Sequence, residues 1–204
     1  MKINELLTYL DELFPDAKCE LNYNKDYELL IAAMLSAQTT DKRVNEVTKV
    51  LFDVYPDLKS LSLAELENVE KILKPLGTHR VKAKNVIAIA KELMKKGISN
   101  DREYLESLPG VGRKTTNVVL SELYNEPTLA VDTHINRVAK RLGLAKQSDD
   151  VLEVERKLFK LIPKDNVVHI HHQLIFFGRY HCKAIKPNCL NCKLANNCKY
   201  KKEI

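Results

Sequence analysis

The sequence predicts an all-α protein, and three features of it support that prediction. Apolar residues recur at spacings of three and four along most of the 204-residue chain, which is the period of an amphipathic helix. Proline and glycine fall between these segments, and no segment alternates apolar and polar residues as a strand would. The composition, 45% hydrophobic and 29% charged, is that of an ordinary globular protein with one large domain or two small ones.

Helical patterns follow one another through the first half of the chain. The first begins at Ile3 and ends before Pro15. Asp26 is placed to cap the next, which is apolar nearly all round as far as Leu35 and is therefore expected to be a buried central helix. Three more helices are expected: residues 41–55 with Val44, Val47, Leu51 and Val54 inward, a helix begun by a capping box at Ser62 and Glu65, and residues 81–94.

The second half continues the same pattern up to Gly178. Asp132 is placed to cap a helix over residues 133–142, which Gly143 closes. Further helices are expected from Ser148 or Asp149 to Ile162, and over residues 165–177. Beyond Gly178 the helical period is lost among cysteine, lysine, asparagine and proline.

Residues 108–115 read LPGVGRKT and lie between two short helical patterns, at 101–108 and 113–124. Pro109 ends the first helix, and Gly110 and Gly112 allow a tight hairpin with positive φ and bare backbone. The second helix then presents unpaired N–H groups and a positive dipole end, which suit a phosphate. This is the logic of a helix-hairpin-helix, which grips a nucleic-acid backbone without reading bases. An ordinary αα-corner is the alternative, and Lys114 in the first turn argues against it.

Charge is unevenly placed along the chain. Between residues 179 and 202 there are seven basic residues and no acidic one. The charge of this segment, +7, exceeds the net charge of +6 for the whole chain. A basic patch of this kind indicates a polyanionic partner, and a solvated lysine-rich tail is the alternative. No apolar run approaches the roughly 20 residues that span a bilayer, and the N-terminus does not resemble a signal peptide. We therefore expect a cytoplasmic protein that binds no membrane.

Four of the five cysteines fall close together near the C-terminus, with six, two and five residues between them. In a reducing compartment such thiolates converge on a metal, either zinc or an iron–sulfur cluster. Zinc sites usually pair two short C-x2–4-C knuckles, and only one is present here. The longer spans favour a [4Fe–4S] cluster, and a disulfide-bonded tail is the remaining alternative. The expected ligands are Cys182, Cys189, Cys192 and Cys198.

Taken together, these motifs resemble the endonuclease III family of DNA glycosylases and AP lyases. The resemblance covers essentially the whole chain and rests on LSAQTTD (35–41), LPGVGRKT (108–115), VDTH (131–134) and the cysteine spacing, in that order. It implies a six-helix barrel domain over residues 20–130, which contains the helix-hairpin-helix at about 101–124. A discontinuous iron–sulfur cluster domain from residues 1–19 and 131–204 would complete the fold, with the DNA groove between the two domains. The cluster it implies is a [4Fe–4S].

The same resemblance implies a bifunctional enzyme of base excision repair that acts on oxidised pyrimidines. Lys114 would attack the sugar C1′, expel the damaged base and form a Schiff base, which a hydroxyl nucleophile could not do. The iminium acidifies the 2′ proton, and β-elimination then breaks the strand. Asp132 would be the catalytic acid, and an ordinary helix cap is its other interpretation.

Duplex DNA with damaged bases or abasic sites is the implied partner, bound by a monomer. Gln38 would fill the gap left by the flipped nucleotide. Family members commonly carry leucine as a wedge where this chain has Thr78, so His79 is a second candidate for that role. Asp41 is expected either to line the pocket or to cap its helix. The full set of expected DNA contacts is Gln38, Thr78, His79, Gly110, Val111, Gly112, Arg113, Lys183 and Lys186.

Two other functions fit parts of the sequence. A mispair-specific adenine glycosylase shares the fold but lacks the hairpin lysine, which this chain has as Lys114. A non-catalytic iron–sulfur protein that binds DNA or senses redox state would need the cysteines and the hairpin, but not Lys114 together with Asp132. The sequence leaves open the range of base lesions, the balance of glycosylase to lyase activity, and whether the cluster changes redox state.

Overall fold

A computed structural model of the chain describes residues 3–200, and these residues form helices and connecting loops without any strand. The all-α prediction is therefore confirmed. No helix within residues 3–200 is long and apolar enough to cross a bilayer. The α-helices are α1 (Ile3–Leu13), α2 (Asp26–Leu35), α3 (Asp41–Val54), α4 (Leu58–Ser62), α5 (Leu66–Leu73), α6 (His79–Lys96), α7 (Arg102–Ser107), α8 (Arg113–Tyr124), α9 (Thr133–Leu142), α10 (Val151–Leu161) and α11 (Val167–Phe176).

The chain divides into two compact units. The hairpin unit is Glu20–Tyr124 and contains α2 to α8. The cysteine unit joins the N-terminal segment up to Cys19 with the chain from Asn125 onward, and it contains α1 and α9 to α11.

Helix α2 is the centre of the hairpin unit. Every residue from Tyr27 to Leu35 is buried, including Glu28, and α2 packs against α3, α6 and α8. The buried Glu28 carboxylate accepts a hydrogen bond from the Asn24 amide at 2.7 Å. Asp26 does not cap this helix as predicted. The helix begins one residue earlier, so Lys25 is the N-cap, and Asp26 adds a negative charge to the first turn that interacts favourably with the positive end of the helix dipole.

Two other predictions in this unit are wrong. The capping box lies at Asp57 and Ser60, where the Asp57 carboxylate accepts from the Ser60 amide at 2.7 Å. Ser62 is instead the last residue of the short helix α4. Val54 was expected to face inward but is 53% exposed, because it lies in the last turn of α3 beyond the packed part of that helix.

The cysteine unit is built on α1, α9 and α11. Leu6, Tyr9 and Leu10 of α1 are buried in one core with residues of α9, α10 and α11. Asp150 caps α10 by accepting from the Glu153 amide at 2.8 Å, whereas the neighbouring Asp149 forms an ion pair with Lys157. After α11 the chain makes a π-helical turn at Phe177–His181, and the ring of Phe177 stacks on that of His181.

Candidate functional site

The hairpin is a tight turn anchored by two buried side chains. Asp101 caps α7 by accepting from the amides of Glu103 and Tyr104. The chain then turns at Pro109 and Gly110, and the Val111 amide donates to the Leu108 carbonyl at 3.0 Å. Leu108 and Val111 are only 3% and 5% exposed, so apolar packing fixes both sides of the turn. Val111 was predicted to contact DNA, but its side chain is buried and its N–H is used within the turn.

The two hairpin glycines are glycines for different reasons. Gly110 has φ +77°, and a Cβ there would lie 2.3 Å from Asn85 Nδ2 and 3.4 Å from Met34 Cγ, so the fold itself requires glycine. Gly112 was also expected to have positive φ, but among the described residues the glycines with positive φ are Gly97, Gly110 and Gly143. A Cβ at Gly112 would meet nothing within 4 Å. The fold would therefore accept a side chain at Gly112, and the glycine leaves the backbone there uncovered.

Lys114 lies in the first turn of α8, directly after the hairpin. The helix begins at Arg113, and the Thr116 amide donates to the Gly112 carbonyl at 3.0 Å. First-turn amides of a helix have no carbonyl one turn earlier to bind, and such helix ends commonly bind anions. Gly112, Arg113 and Lys114 are all exposed there.

Asp132 is the N-cap of α9, as predicted from the sequence. Its Oδ1 accepts a hydrogen bond from the Ile135 amide at 2.8 Å, and the side chain is half-buried. This hydrogen bond orients the carboxylate and does not involve its Oδ2. Burial lowers the pKa of the nearby His134, while the Asp132 carboxylate opposes that change. Lys114 and Asp132 belong to different units.

Gln38 and Thr78 share an unusual backbone conformation. Both have positive φ, +57° and +55°, and both are exposed. The left-handed region costs a residue other than glycine roughly 1–2 kcal/mol, and such strain tends to occur at functional sites. Asn125 and Lys186 are the other described non-glycine residues with positive φ, and Gln38 and Thr78 are two of the positions predicted to enter DNA. His79, the alternative to Thr78, is half-buried as the first residue of α6.

Helix α3 resolves part of the question about Asp41. The cap belongs to Thr40, whose side chain accepts from the Arg43 amide at 3.3 Å, and Asp41 is the first helical residue. Asp41 is thus not needed as a cap.

The four C-terminal cysteines line a single cavity of about 90 Å³, together with Leu142, Phe177 and other residues of the cysteine unit. None of them is in a disulfide. Burial raises the pKa of Cys192 and of Cys198, and the other thiols of the group raise both further. Within residues 3–200 no three His, Cys, Asp or Glu side chains are placed to hold one metal ion. The four cysteines instead lie around the wall of the cavity. Four half-buried thiols that line one cavity are ligands of the kind that hold an iron–sulfur cluster.

Arg141 contacts this group and was missed by the sequence analysis. It is 8% exposed, and its guanidinium donates to the carbonyls of Lys183 and Ala184 at 2.7 and 3.1 Å. It also lies 3.5 Å from Cys182 Sγ, and its carbonyl accepts from Cys198 Sγ at 3.2 Å. Its place between buried Val138 and Leu142 on α9 was the available sequence signal, because a charged residue there has to be paired.

The basic segment is exposed where the structure describes it. Lys183 and Lys186 are both at the surface, in the loop that passes over Arg141, and Lys186 has φ +51°. Lys201 and Lys202 of the same segment lie outside the described residues.

A second residue missed from the sequence is Lys82 on α6. It is 4% exposed, and its Nζ donates to the Ala37 carbonyl at 2.8 Å and to Thr39 Oγ1 at 3.3 Å. Burial lowers its pKa. Its spacing from the buried Val86, Ile89 and Leu93 places it on the core face of the helix, which the sequence pattern does show.

The fold and this site define a class of protein. Residues 31–164 match the family model of the HhH-GPD superfamily of base excision DNA repair proteins, so the chain belongs to that superfamily. It is 44% identical to endonuclease III of Bacillus subtilis, over 97% of this chain and 92% of that one. It is 42% identical to endonuclease III of Escherichia coli K12, over 98% and 96% of the two chains. Within the superfamily, the chain belongs to the endonuclease III family.

Solved structures agree with this assignment. A trapped covalent intermediate of endonuclease III with DNA, described as an estranged-adenine complex, is 46% identical, with a TM-score of 0.93 over 97% of this chain and 94% of that one. A thermostable thymine-DNA glycosylase is 19% identical, with a TM-score of 0.86 over 98% and 96% of the chains, and it shows the shared fold alone.

Proposed function

We propose that this chain is a bifunctional DNA glycosylase and AP lyase, which removes oxidised pyrimidines from duplex DNA and then cleaves the strand. The observation that carries the proposal is the exposed backbone at Gly112, where α8 begins, followed by exposed Lys114 in the first turn of that helix. An anion site alone would bind a phosphate. With an amine one residue into the helix, the backbone that is held there also meets a nucleophile.

Lys114 is the nucleophile in this proposal. Its amine bonds to the sugar C1′ as the bond to the damaged base breaks. Opening of the sugar ring at the C1′–O4′ bond then gives an iminium, which makes the 2′ proton acidic. Loss of that proton breaks the C3′–O bond, which severs the strand. The related trapped endonuclease III–DNA covalent intermediate supports a covalent step in this family.

Asp132 is the proposed carboxylate of the reaction. Its Oδ1 is held by the Ile135 amide, so the side chain stays oriented while Oδ2 assists proton transfer or stabilises positive charge on the sugar. The cap and the catalytic role therefore belong to one conformation.

Recognition of the lesion is assigned to residues of the hairpin unit. The backbone at Gly110, Gly112 and Arg113 is the proposed phosphate contact. Gln38 is the proposed filler of the gap, and Thr78 or His79 the proposed wedge. The strained, exposed backbone at Gln38 and Thr78 supports these roles, because each holds a side chain outward at a conformational cost.

The cysteine unit is proposed as the cluster domain and the hairpin unit as the barrel domain of this family. Cys182, Cys189, Cys192 and Cys198 would hold a [4Fe–4S] cluster, which supplies folding energy to the loop around it. The chain's own part is to bring the half-buried thiols to one cavity and to hold the loop backbone with Arg141. Lys183 and Lys186 on that loop are proposed phosphate contacts.

Borohydride trapping tests the proposed function. Duplex carrying thymine glycol is incubated with the parent protein, and borohydride should reduce the imine to a covalent protein–DNA adduct. Lys114→Ala should abolish the adduct and lower strand cleavage by several orders of magnitude while duplex binding persists. Lys91→Ala, at an exposed lysine of α6, is the matched control and should trap like the parent. Trapping by Lys114→Ala at the parent rate would show that another amine is the nucleophile. A preference for adenine in mispairs, without trapping, would favour the adenine glycosylase alternative.

A further inference from the structure

Lys82 is a buried cation for which the described structure offers no acidic partner. Its side chain is 4% exposed, and both hydrogen bonds recorded for it go to neutral acceptors, the Ala37 carbonyl and Thr39 Oγ1. Burial alone lowers its pKa, without a contribution from any neighbouring charge. A buried ammonium group without a carboxylate is unfavourable for folding. A methionine would fill the same space without that penalty, so the lysine calls for another explanation.

Both acceptors of Lys82 belong to one loop, residues 36–40, and they flank Gln38. Gln38 sits between Ala37 and Thr39 with φ +57°, and its side chain is exposed. Within the loop, the Thr39 amide donates to the Ser36 carbonyl at 3.1 Å, which closes a turn around Gln38. Lys82 lies 43 to 45 residues from this turn in sequence, and its Nζ donates to the residue on either side of Gln38. These two hydrogen bonds hold the strained Gln38 in place.

The same face of α6 also supports the hairpin. Asn85, three residues after Lys82, lies against Gly110, where a Cβ would come within 2.3 Å of Asn85 Nδ2. Residues three apart on a helix lie on one face. One turn of α6 therefore contacts both the loop of Gln38 and the hairpin that precedes Lys114. Because a helix is rigid over one turn, these two contacts fix the loop and the hairpin in register.

We propose that Lys82 is a positioning residue for lesion recognition, which holds residues 36–40 so that Gln38 stands ready to enter damaged duplex. The proposal rests on the proposed function, in which Gln38 fills the gap left by the flipped nucleotide. Lys82 touches neither DNA nor the reacting atoms in this scheme. Its effect passes through the backbone of Ala37 and the side chain of Thr39.

The first test compares Lys82→Met with the parent on two duplexes. One carries a tetrahydrofuran abasic analogue opposite 2-aminopurine, and the other is undamaged. Lys82→Met should lower the affinity for the abasic duplex by about tenfold and leave undamaged binding within about twofold, because the hairpin still holds phosphate. The rise in 2-aminopurine fluorescence that reports the unstacked base should be lost. The unfolding midpoint should stay the same or rise, since a buried charge has been removed.

Two further variants show whether Lys82 acts through Gln38. Gln38→Ala should lose the same selectivity, and adding Lys82→Met to it should change affinity by less than about twofold, since the two substitutions remove one interaction. Lys82→Arg, which keeps a donor cation, should recover most of the fluorescence rise. Lys91→Met on the exposed side of α6 is the control and should match the parent.

Several results would overturn the proposal. Unchanged abasic binding and fluorescence in Lys82→Met would show that the loop does not need the ammonium group. A lowered unfolding midpoint with equal loss on both duplexes would make Lys82 a structural residue only, and additive effects with Gln38→Ala would show that it acts by another route. Failure of the proposed function is seen separately, because the parent protein would then form no borohydride adduct on a natural abasic site.

Discussion

Exchanging each hairpin glycine for alanine separates what the fold requires from what DNA requires. Gly110→Ala places a side chain at φ +77°, which costs roughly 1–2 kcal/mol. Its Cβ would also lie 2.3 Å from Asn85 Nδ2 and 3.2 Å from Asn85 Cγ, so Asn85 must move away from the hairpin. Overpacking of this kind costs about 1–3 kcal/mol, and Gly110→Ala should therefore lose about 2–5 kcal/mol of folding free energy in total.

Gly112→Ala is the matched control for stability and the test for binding. Its φ is not positive and its Cβ would meet nothing within 4 Å, so stability should change by no more than about 0.5 kcal/mol. A methyl group on the bare backbone would, however, keep a phosphate from the first-turn amides of α8. Affinity for abasic-analogue duplex should fall at least about tenfold, which is about 1.4 kcal/mol.

Urea unfolding followed by circular dichroism measures the first effect, and fluorescence anisotropy with labelled duplex measures the second. The reasoning is refuted if the two variants lose stability equally, because the structure gives only Gly110 a reason within the fold. It is also refuted if Gly112→Ala binds duplex like the parent. In that case the bare backbone at Gly112 would have no part in holding DNA.

Three other predictions follow from the cysteine unit. Asp132→Asn keeps a competent helix cap, so the fold should persist while the single-turnover rate falls by about 10² to 10⁴. Slow imine trapping should remain on a preformed abasic site, and a parent-like rate would remove Asp132 from the mechanism. Cys189→Ser should lower the iron content from about four per chain and weaken DNA binding with it, as measured by metal analysis and visible absorption, whereas one zinc per chain in the parent would contradict the cluster assignment. Lys183→Ala should weaken damaged and undamaged duplex alike and reduce the log–log salt slope by up to roughly one, and an altered base preference with an unchanged slope would argue against a phosphate contact.

The sequence predicted helix ends well where a start and a stop signal both stand at the boundary. Helix α9 begins after Asp132 and ends at Gly143 as expected, because a capping carboxylate and a glycine that adopts the left-handed region act locally. Ser62 and Glu65 failed because the capping pattern also occurs five residues earlier, at Asp57 and Ser60, and local sequence does not rank the two. The four cysteines line one cavity, and their close spacing in the sequence was enough to predict that they lie together.

Contacts made across long stretches of chain could not be predicted in this way. Lys82 was passed over because its partners lie 43 to 45 residues away, and a lysine is most often a surface residue. The differing roles of Gly110 and Gly112 were equally invisible, since they depend on Asn85 and Met34 meeting only one of them. The sequence indicated which loops matter, whereas the structure shows what holds them.

The two buried cations that hold these loops share a chemical logic. Lys82 donates to the backbone beside Gln38, and Arg141 donates to the carbonyls of Lys183 and Ala184. Neither has a carboxylate partner within residues 3–200, although pairing with an acid is the usual way to bury a positive charge. An acidic partner would place negative charge directly beneath the surface that we propose to bind phosphates. Neutral oxygen atoms accept from both cations and fix the same loops without placing a carboxylate beneath the proposed DNA-binding surface, and Arg141 also lies 3.5 Å from Cys182 Sγ.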